Sequence, residues 1–449
     1  MKVLLISPNT LVVPYPVYPI GLDYVAGSLS EKHQVQTADL NILTHEELET
    51  LLKSFSPDII GLSIRNIDNT EAGNPLFFIS EHKKLVDWIR ARCSAPIVGG
   101  GAGFTILPHE IFAALELDYG IIGEGERFEE LLNAIENRHT LSGIPGLITA
   151  SNISNTTPAS PWTGTVQRQA TQSNLSQFYL DHGGMLNLQT KRGCSFRCIY
   201  CPYPHIEGKK HRLVDPDNVA HMALKLQDNG AKYIFITDSA FNSDVSHSLK
   251  VAEAFKRHGL SIPWGGFFAP IKLPADYFKT MKECGLKHVE FGTESLSRTM
   301  LKNYRKPFSP ENIISTHKQA VEAGLHAAHY FLLGGPGESD ETVDETLDAI
   351  ENLKKTVLFF FTGIRIYPHT GLYKTALKEG KITKETSLLE PIYYESDAIS
   401  HSMIEKQVLD RCGRRINWIV GSGGNDAAAT VSKMHERGYA GPLWEYLIR

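Results

Sequence analysis

The sequence predicts an α/β protein built twice over: a doubly wound parallel sheet in front, a partial (β/α)6 barrel behind it, and a small helical C-terminal extension. Three observations lead there. Short β-branched runs alternate with helix-period segments from the start of the chain to about residue 140. The alternation pauses in a stretch rich in Ser, Thr, Asn and Pro, then restarts near residue 183 with longer units. Strands separated by helices of this length imply parallel sheets with covered faces. The 449 residues also exceed what one ordinary core holds, so several domains are expected.

In the first unit, residues 1–140, the strand candidates are "KVLLIS", "QVQTADL", "PDIIGLSI", "APIVGGG" and "LDYGIIGEGE". Helices are expected in "GLDYVAGSLSEKH", "HEELETLLKSF", "HKKLVDWIRARC" and "ERFEELLNAIENR". Ligands of such sheets sit beyond the carboxyl ends of the strands, here the loops "SPNTLVVPYPVYPIG", "SIRNIDN", "GGGAGF" and "GEGER". Residues 141–182 read as a linker. Residues 183–385 supply six strand candidates: "MLNLQTK", "YIFITDS", "IPWGGFFA", "HVEFGTES", "AHYFLLGG" and "FFFTGIRIY". Functional groups of β/α barrels gather at the carboxyl ends of the strands. Residues 386–449 read as a helical extension whose apolar residues dock on the barrel.

Composition excludes several classes. A net charge of −5 gives no electrostatic reason to expect nucleic acid. No run approaches the roughly 20 apolar residues of a membrane span. "MKVLLISPNT" lacks a cleavage site and reads as a first strand, so a cytoplasmic protein is expected.

Six cysteines are too sparse for a disulfide framework. Cys93, Cys284 and Cys412 stand alone and read as small buried hydrophobes. The other three lie in "KRGCSFRCIYCPYP" as C-x3-C-x2-C, just past the first barrel strand. With His205 they could form a Cys3His zinc site. Alternatively, three thiolates could hold three irons of a [4Fe-4S] cubane and leave the fourth iron open. His205, His211 and "GKKHR" could meet an anionic substrate or cofactor phosphate but read rather as solvated, and His33, His82 and His109 as ordinary surface or core residues.

The cysteine triplet in this position, with Tyr200 before the last cysteine, resembles the radical SAM superfamily. The resemblance implies a [4Fe-4S] cluster on Cys194, Cys198 and Cys201, with S-adenosylmethionine (SAM) chelated at the open iron and cleaved reductively to a 5′-deoxyadenosyl radical. It extends along the barrel. "ITDSAF" offers Asp238 toward the SAM amino group, although the superfamily's Gly-Gly-Glu is absent. "FGTES" offers Glu294 and Ser295, "LLGGPGES" offers Gly334, Gly335 and Gly337, and "IRIYPHTGLYKTALKEG" turns Arg365 and Tyr367 toward the mouth.

The front unit resembles the flavodoxin-like, Rossmann-type cobalamin-binding domain that precedes many such barrels, through "YPIGLDYVAGSL", "DIIGLSIRN", "PIVGGGAG" and "GIIGEGERFEELL". The resemblance makes Gly99, Gly100 and Gly101 a backbone approach to a large planar ligand, with Ser63, Arg65, Glu124 and Glu126 as polar contacts. The first loop contains no histidine to ligate cobalt.

The two resemblances together imply a cobalamin-dependent radical SAM enzyme, similar to a subgroup described as lipid-biosynthesis B12-binding radical SAM proteins. The expected reaction is methyl transfer to an unactivated carbon of a small-molecule or lipid-like substrate. A flavodoxin or ferredoxin is the implied electron donor. A non-methylating rearrangement, cyclisation or carbon–carbon coupling is the alternative within this chemistry; a redox-sensing Fe–S or cobalamin protein is the alternative outside it.

Overall fold

A computed structural model of the chain describes residues 1–157, 159–162, 168, 173–421 and 423–448. Parts of the expected linker, 158, 163–167 and 169–172, lie outside the described residues.

Among the described residues, six strands form the front sheet: β1 (Lys2–Ser7), β2 (Gln34–Asp39), β3 (Ile59–Ser63), β4 (Ile97–Gly100), β5 (Tyr119–Ile121) and β6 (Leu147–Thr149). Their order is β2-β1-β3-β4-β5-β6, parallel except for β6, which runs antiparallel to β5. The order reverses between β1 and β3, the switch point at which doubly wound sheets open a crevice. Strand β1 is apolar almost throughout because helices cover both faces of the sheet. Helix His45–Phe55 begins at a capping box between Thr44 and Glu47, as its Thr-x-x-Glu start dictates. All five expected strands are present. β6 comes from the stretch read as linker, where its three residues were too few to show periodicity.

Among the described residues the second sheet holds seven parallel strands, the first of them β7 (Met185–Leu188). The hairpin partners β8 (Lys191–Arg192) and β9 (Arg212–Leu213) stand beside its mouth. The rest of the sheet is β10 (Tyr233–Ile236), β11 (Trp264–Phe268), β12 (Leu286–Glu294), β13 (His326–Leu333) and β14 (Thr356–Thr362). Next come β15 (Ile364–Arg365) and β16 (Tyr393–Tyr394), which pair with each other, and finally β17 (Trp418–Val420). The sheet order is β7-β10-β11-β12-β13-β14-β17, an open barrel.

Two details differ from the sequence expectation. "FFFTGIRIY" is not one strand: Gly363 adopts φ +84° and turns Ile364–Arg365 out of the sheet to pair with β16. The C-terminal extension is not all helix and loop, since β17 adds a seventh strand beside β14. Among the described residues, no helix is long and apolar enough to cross a membrane.

Candidate functional site

The carboxyl ends of both sheets face a common cavity of about 790 Å³. Its front wall comes from Ser7, Ser63, Arg65, Gly99–Gly101 and the loop after β5. Its back wall comes from the cysteine loop, Asp238 after β10, the ends of β11 and β12, Lys306 and Tyr330.

All three cysteines line this cavity. Burial raises the Cys194 and Cys198 thiols above the ordinary value and pushes Cys201 up to about 12. Lys306 opposes that rise at Cys198 and Cys201, so a cation sits where thiolates would form. Tetrahedral zinc with bonds of about 2.3 Å draws its sulfurs to about 3.8 Å apart. Among the described residues, the three thiols are not among the trios of ligating atoms gathered within 4.8 Å of one another. Three thiols on one loop, all lining the cavity, suit a cluster with one iron left open. His205 stacks on His369 at 4.3 Å between ring centroids, and does not line the cavity.

Beside the cysteines stands a triad. The Tyr200 hydroxyl donates to Glu294 Oε1 at 2.5 Å, and Lys306 Nζ lies 3.0 Å from the same oxygen and 3.1 Å from the hydroxyl. Burial would lower the Lys306 ammonium, but Glu294 and the neighbouring thiols raise it. Glu294 Oε2 is buried with no partner, a free acceptor at the cavity wall. An amino or hydroxyl group of a ligand would satisfy it, which fits SAM. Glu294 holds this position with φ +59°, rare for a non-glycine residue, where β12 breaks register against β13. Lys306 escaped the sequence reading because nothing distinguishes one lysine in "KNYRKPF" until the helix Arg298–Asn303 turns it back to β12.

The glycines of the front wall divide by role. A Cβ on Gly99 would lie 2.4 Å from Leu117, and one on Gly101, at φ +103°, 2.7 Å from the Ile64 carbonyl. Those two serve the packing of the loop. At Gly100 the nearest atom, the Ile121 carbonyl oxygen, is 3.7 Å away, so the missing side chain leaves open space facing the cavity. A planar ligand such as a corrin fits that bare backbone. Ser63 and Arg65 line the same wall, with Arg65 Nη1 donating to the Val17 carbonyl at 3.3 Å. No histidine is among the described cavity-lining residues.

Other expected site residues are engaged elsewhere. Glu124 and Glu126 line the cavity but accept from Arg192 at 3.0 and 2.6 Å, and Glu124 also pairs with Arg212 at 2.7 Å. Despite burial, these arginines hold the Glu124 carboxyl below its usual range. Asp238 accepts from Thr190 Oγ1 at 2.5 Å and Lys191 Nζ at 2.8 Å. Ser295 is fully buried against Thr346 at 2.8 Å, off the cavity. Gly334 donates its N–H to Glu338 and Gly335 to the Tyr304 hydroxyl; with Gly337 they lie outside the lining. Arg365 is buried away from the mouth, donating to Asp68 at 2.8 Å and to the Leu388 carbonyl at 2.6 Å.

Comparison with known proteins finds a match for each of the two units. Residues 6–132 match the B12 binding domain, and residues 188–350 match the Radical SAM superfamily. An uncharacterised methyltransferase of Pyrococcus horikoshii is 29% identical over 395 residues, covering 84% of this chain and 83% of its own. The tryptophan 2-C-methyltransferase of Streptomyces laurentii is 22% identical over 453 residues, covering 84% and 74%. Among solved structures, the radical SAM methyltransferase TsrM from Kitasatospora setae, with cobalamin and a [4Fe-4S] cluster bound, superposes with a TM-score of 0.86. It is 21% identical, over 99% of this chain and 97% of that one, a likeness of fold.

Proposed function

This chain belongs to the radical SAM superfamily and carries a B12 binding domain in front of its barrel, and on that premise we propose that it is a cobalamin-dependent radical SAM methyltransferase. The observation that carries the reading is the single cavity bounded on one side by Gly100 and on the other by Cys194, Cys198 and Cys201. One reaction chamber would thus be reached by both cofactors.

When bound, the reduced [4Fe-4S] cluster supplies an electron for SAM cleavage, and methylcobalamin supplies a methyl group. The protein's part is placement. The three cysteines hold the cluster, and the bare Oε2 of Glu294 takes a donor from SAM. Lys306 and Tyr200 fix the Glu294 carboxylate so that this free oxygen stays turned to the cavity. Gly99–Gly101, Ser63 and Arg65 form the corrin side. Phe196, Phe267, Phe308 and Tyr330 give the chamber apolar walls, which suit a small-molecule substrate with an apolar or lipid-like portion and keep water from reactive species. A flavodoxin or ferredoxin in the cytoplasm would deliver the electron.

The test uses anaerobically reconstituted protein. About four iron and four sulfide per chain, about one retained cobalamin, and 5′-deoxyadenosine on adding SAM and dithionite are expected. S-adenosylhomocysteine should accompany it, the by-product expected if a second SAM molecule serves as methyl donor. The second reading is a non-methylating radical reaction in the same chamber, which its apolar walls accommodate equally. Deoxyadenosine without S-adenosylhomocysteine would select it. Zinc in place of iron would overturn both.

A further inference from the structure

At the opposite end of the barrel, the floor, a second group of ligating side chains lies away from the chamber. His288 is the third residue of β12, His326 begins β13, and Glu445 comes from the short helix Trp444–Leu447 near the C-terminus. Their ligand atoms all lie within 4.8 Å of one another. Glu445 Oε1 is 3.0 Å from His288 Nε2, and His326 Nδ1 is 3.5 Å from that nitrogen. Ligands at about 2.05 Å from a tetrahedral metal stand about 3.3 Å apart, so these separations match without rearrangement.

We propose that His288, His326 and Glu445 form a binding site for a divalent transition-metal ion of the zinc type. Two imidazoles and a carboxylate are a borderline-soft donor set suited to it. Three further observations carry the assignment. Glu445, whose side chain is 5% exposed, keeps its Oε2 buried with no partner, an anionic oxygen that a cation would satisfy. The Tyr233 hydroxyl lies 2.8 Å from His288 Nδ1 and orients the ring, leaving Nε2 for the metal. His326 is only half-buried, which provides an entry path and a place for water as fourth ligand. Lys287 Nζ, 3.0 Å from Glu445 Oε1, competes for the carboxylate, but its side chain is 33% exposed and free to swing into water.

The site has a consequence for the chamber above it. The residue beside Glu445, Trp444, donates its indole N–H to Glu290 Oε1 at 2.9 Å. Glu290 Oε2 accepts from the Tyr330 hydroxyl at 2.8 Å, and Tyr330 lines the reaction cavity. A metal holding Glu445 would pin the C-terminal segment as a plug under the barrel and fix that chain of contacts.

The test separates this ion from the cluster. Full-length protein with Cys194, Cys198 and Cys201 all changed to Ala is titrated with Zn2+ against a chelating indicator, then with Co2+. One Zn2+ per chain is expected, together with a visible Co2+ ligand-field spectrum and a rise in Tm on loading. Adding His326→Gln, at a half-exposed position where folding is checked by circular dichroism, should abolish all three. Tyr233→Phe should weaken binding by about ten- to hundredfold, and Lys287→Met should tighten it. Failure to retain Zn2+ at micromolar free metal, or retention unchanged by His326→Gln, would overturn the proposal. Neither result bears on SAM cleavage.

Discussion

The two walls of the cavity are built on opposite principles. The barrel wall presents groups: three thiols, a carboxylate with one oxygen free, a buried lysine. The front wall presents backbone, and its acidic side chains are already committed. Glu124 and Glu126 are held by Arg192 and Arg212 of the barrel side, and off the cavity Asp68 is held by Arg365. Chemistry therefore belongs to one wall and shape to the other, and the charges of the front unit fasten it to its neighbour.

The most damaging way to probe the chemical wall is Cys198→Ala. It should reduce cluster iron to background and abolish deoxyadenosine formation, with cobalamin retention on the other wall unchanged. Loss of both cofactors would break the division.

The fastening is probed by Arg365→Ala. Asp68 would be left buried without its countercharge, although the Thr70 N–H still donates to its Oδ1, a loss of about 3–5 kcal/mol. Urea midpoints measure it, and a change below 1 kcal/mol would mean the seam contributes little.

The third probe is pH. Glu290 on the barrel side is fully buried among neutral donors, and burial pushes its carboxyl from 4.5 up to about 7. A raised folded-state value gives stability that is fully present below about 4.5 and lost as pH rises through about 7. The loss is worth about 3 kcal/mol. Wild-type stability relative to Glu290→Gln should fall across that window. A flat difference would place Glu290 in a wetter setting.

The smallest effects sharpen the shape wall. Gly99→Ala drives a Cβ against Leu117 and should cost about 1–3 kcal/mol. Gly100→Ala has room and should change stability by less than about 0.5 kcal/mol. It should nevertheless weaken cobalamin retention, because the added methyl occupies ligand space. Equal retention in Gly100→Ala and wild type would remove the corrin from that wall.

What could be read from the sequence follows the same division. Cys194, Cys198 and Cys201 are neighbours along the chain, and their spacing alone announces a shared ligand. Gly99–Gly101 are equally local, and the strands of both sheets declare themselves by apolar runs. The fates of Glu124, Arg365 and Ser295 are tertiary: partners 68, 297 and 51 residues away decide whether each polar group meets a ligand or another side chain. Lys306 belongs with them, since only folding brings it to Glu294. Strands β6 and β17, three residues each, are too short to print a period and form because a sheet edge was there to pair with.

The buried arginine–carboxylate pairs between front unit and barrel also govern how the molecule comes apart. Arg192 with Glu126 and Arg365 with Asp68 are each nearly inaccessible to solvent, and so is Arg168 of the connecting segment with Asp23 of the front unit. Separating the halves while both stay folded would part these pairs and also open to water the apolar core they share, to which Ile64 and Ile106 of the front unit and Ile199, Tyr304 and Ile364 of the barrel all belong. A calorimeter should therefore record one cooperative melting transition for two sheets, and the chamber between them would persist until both are lost together.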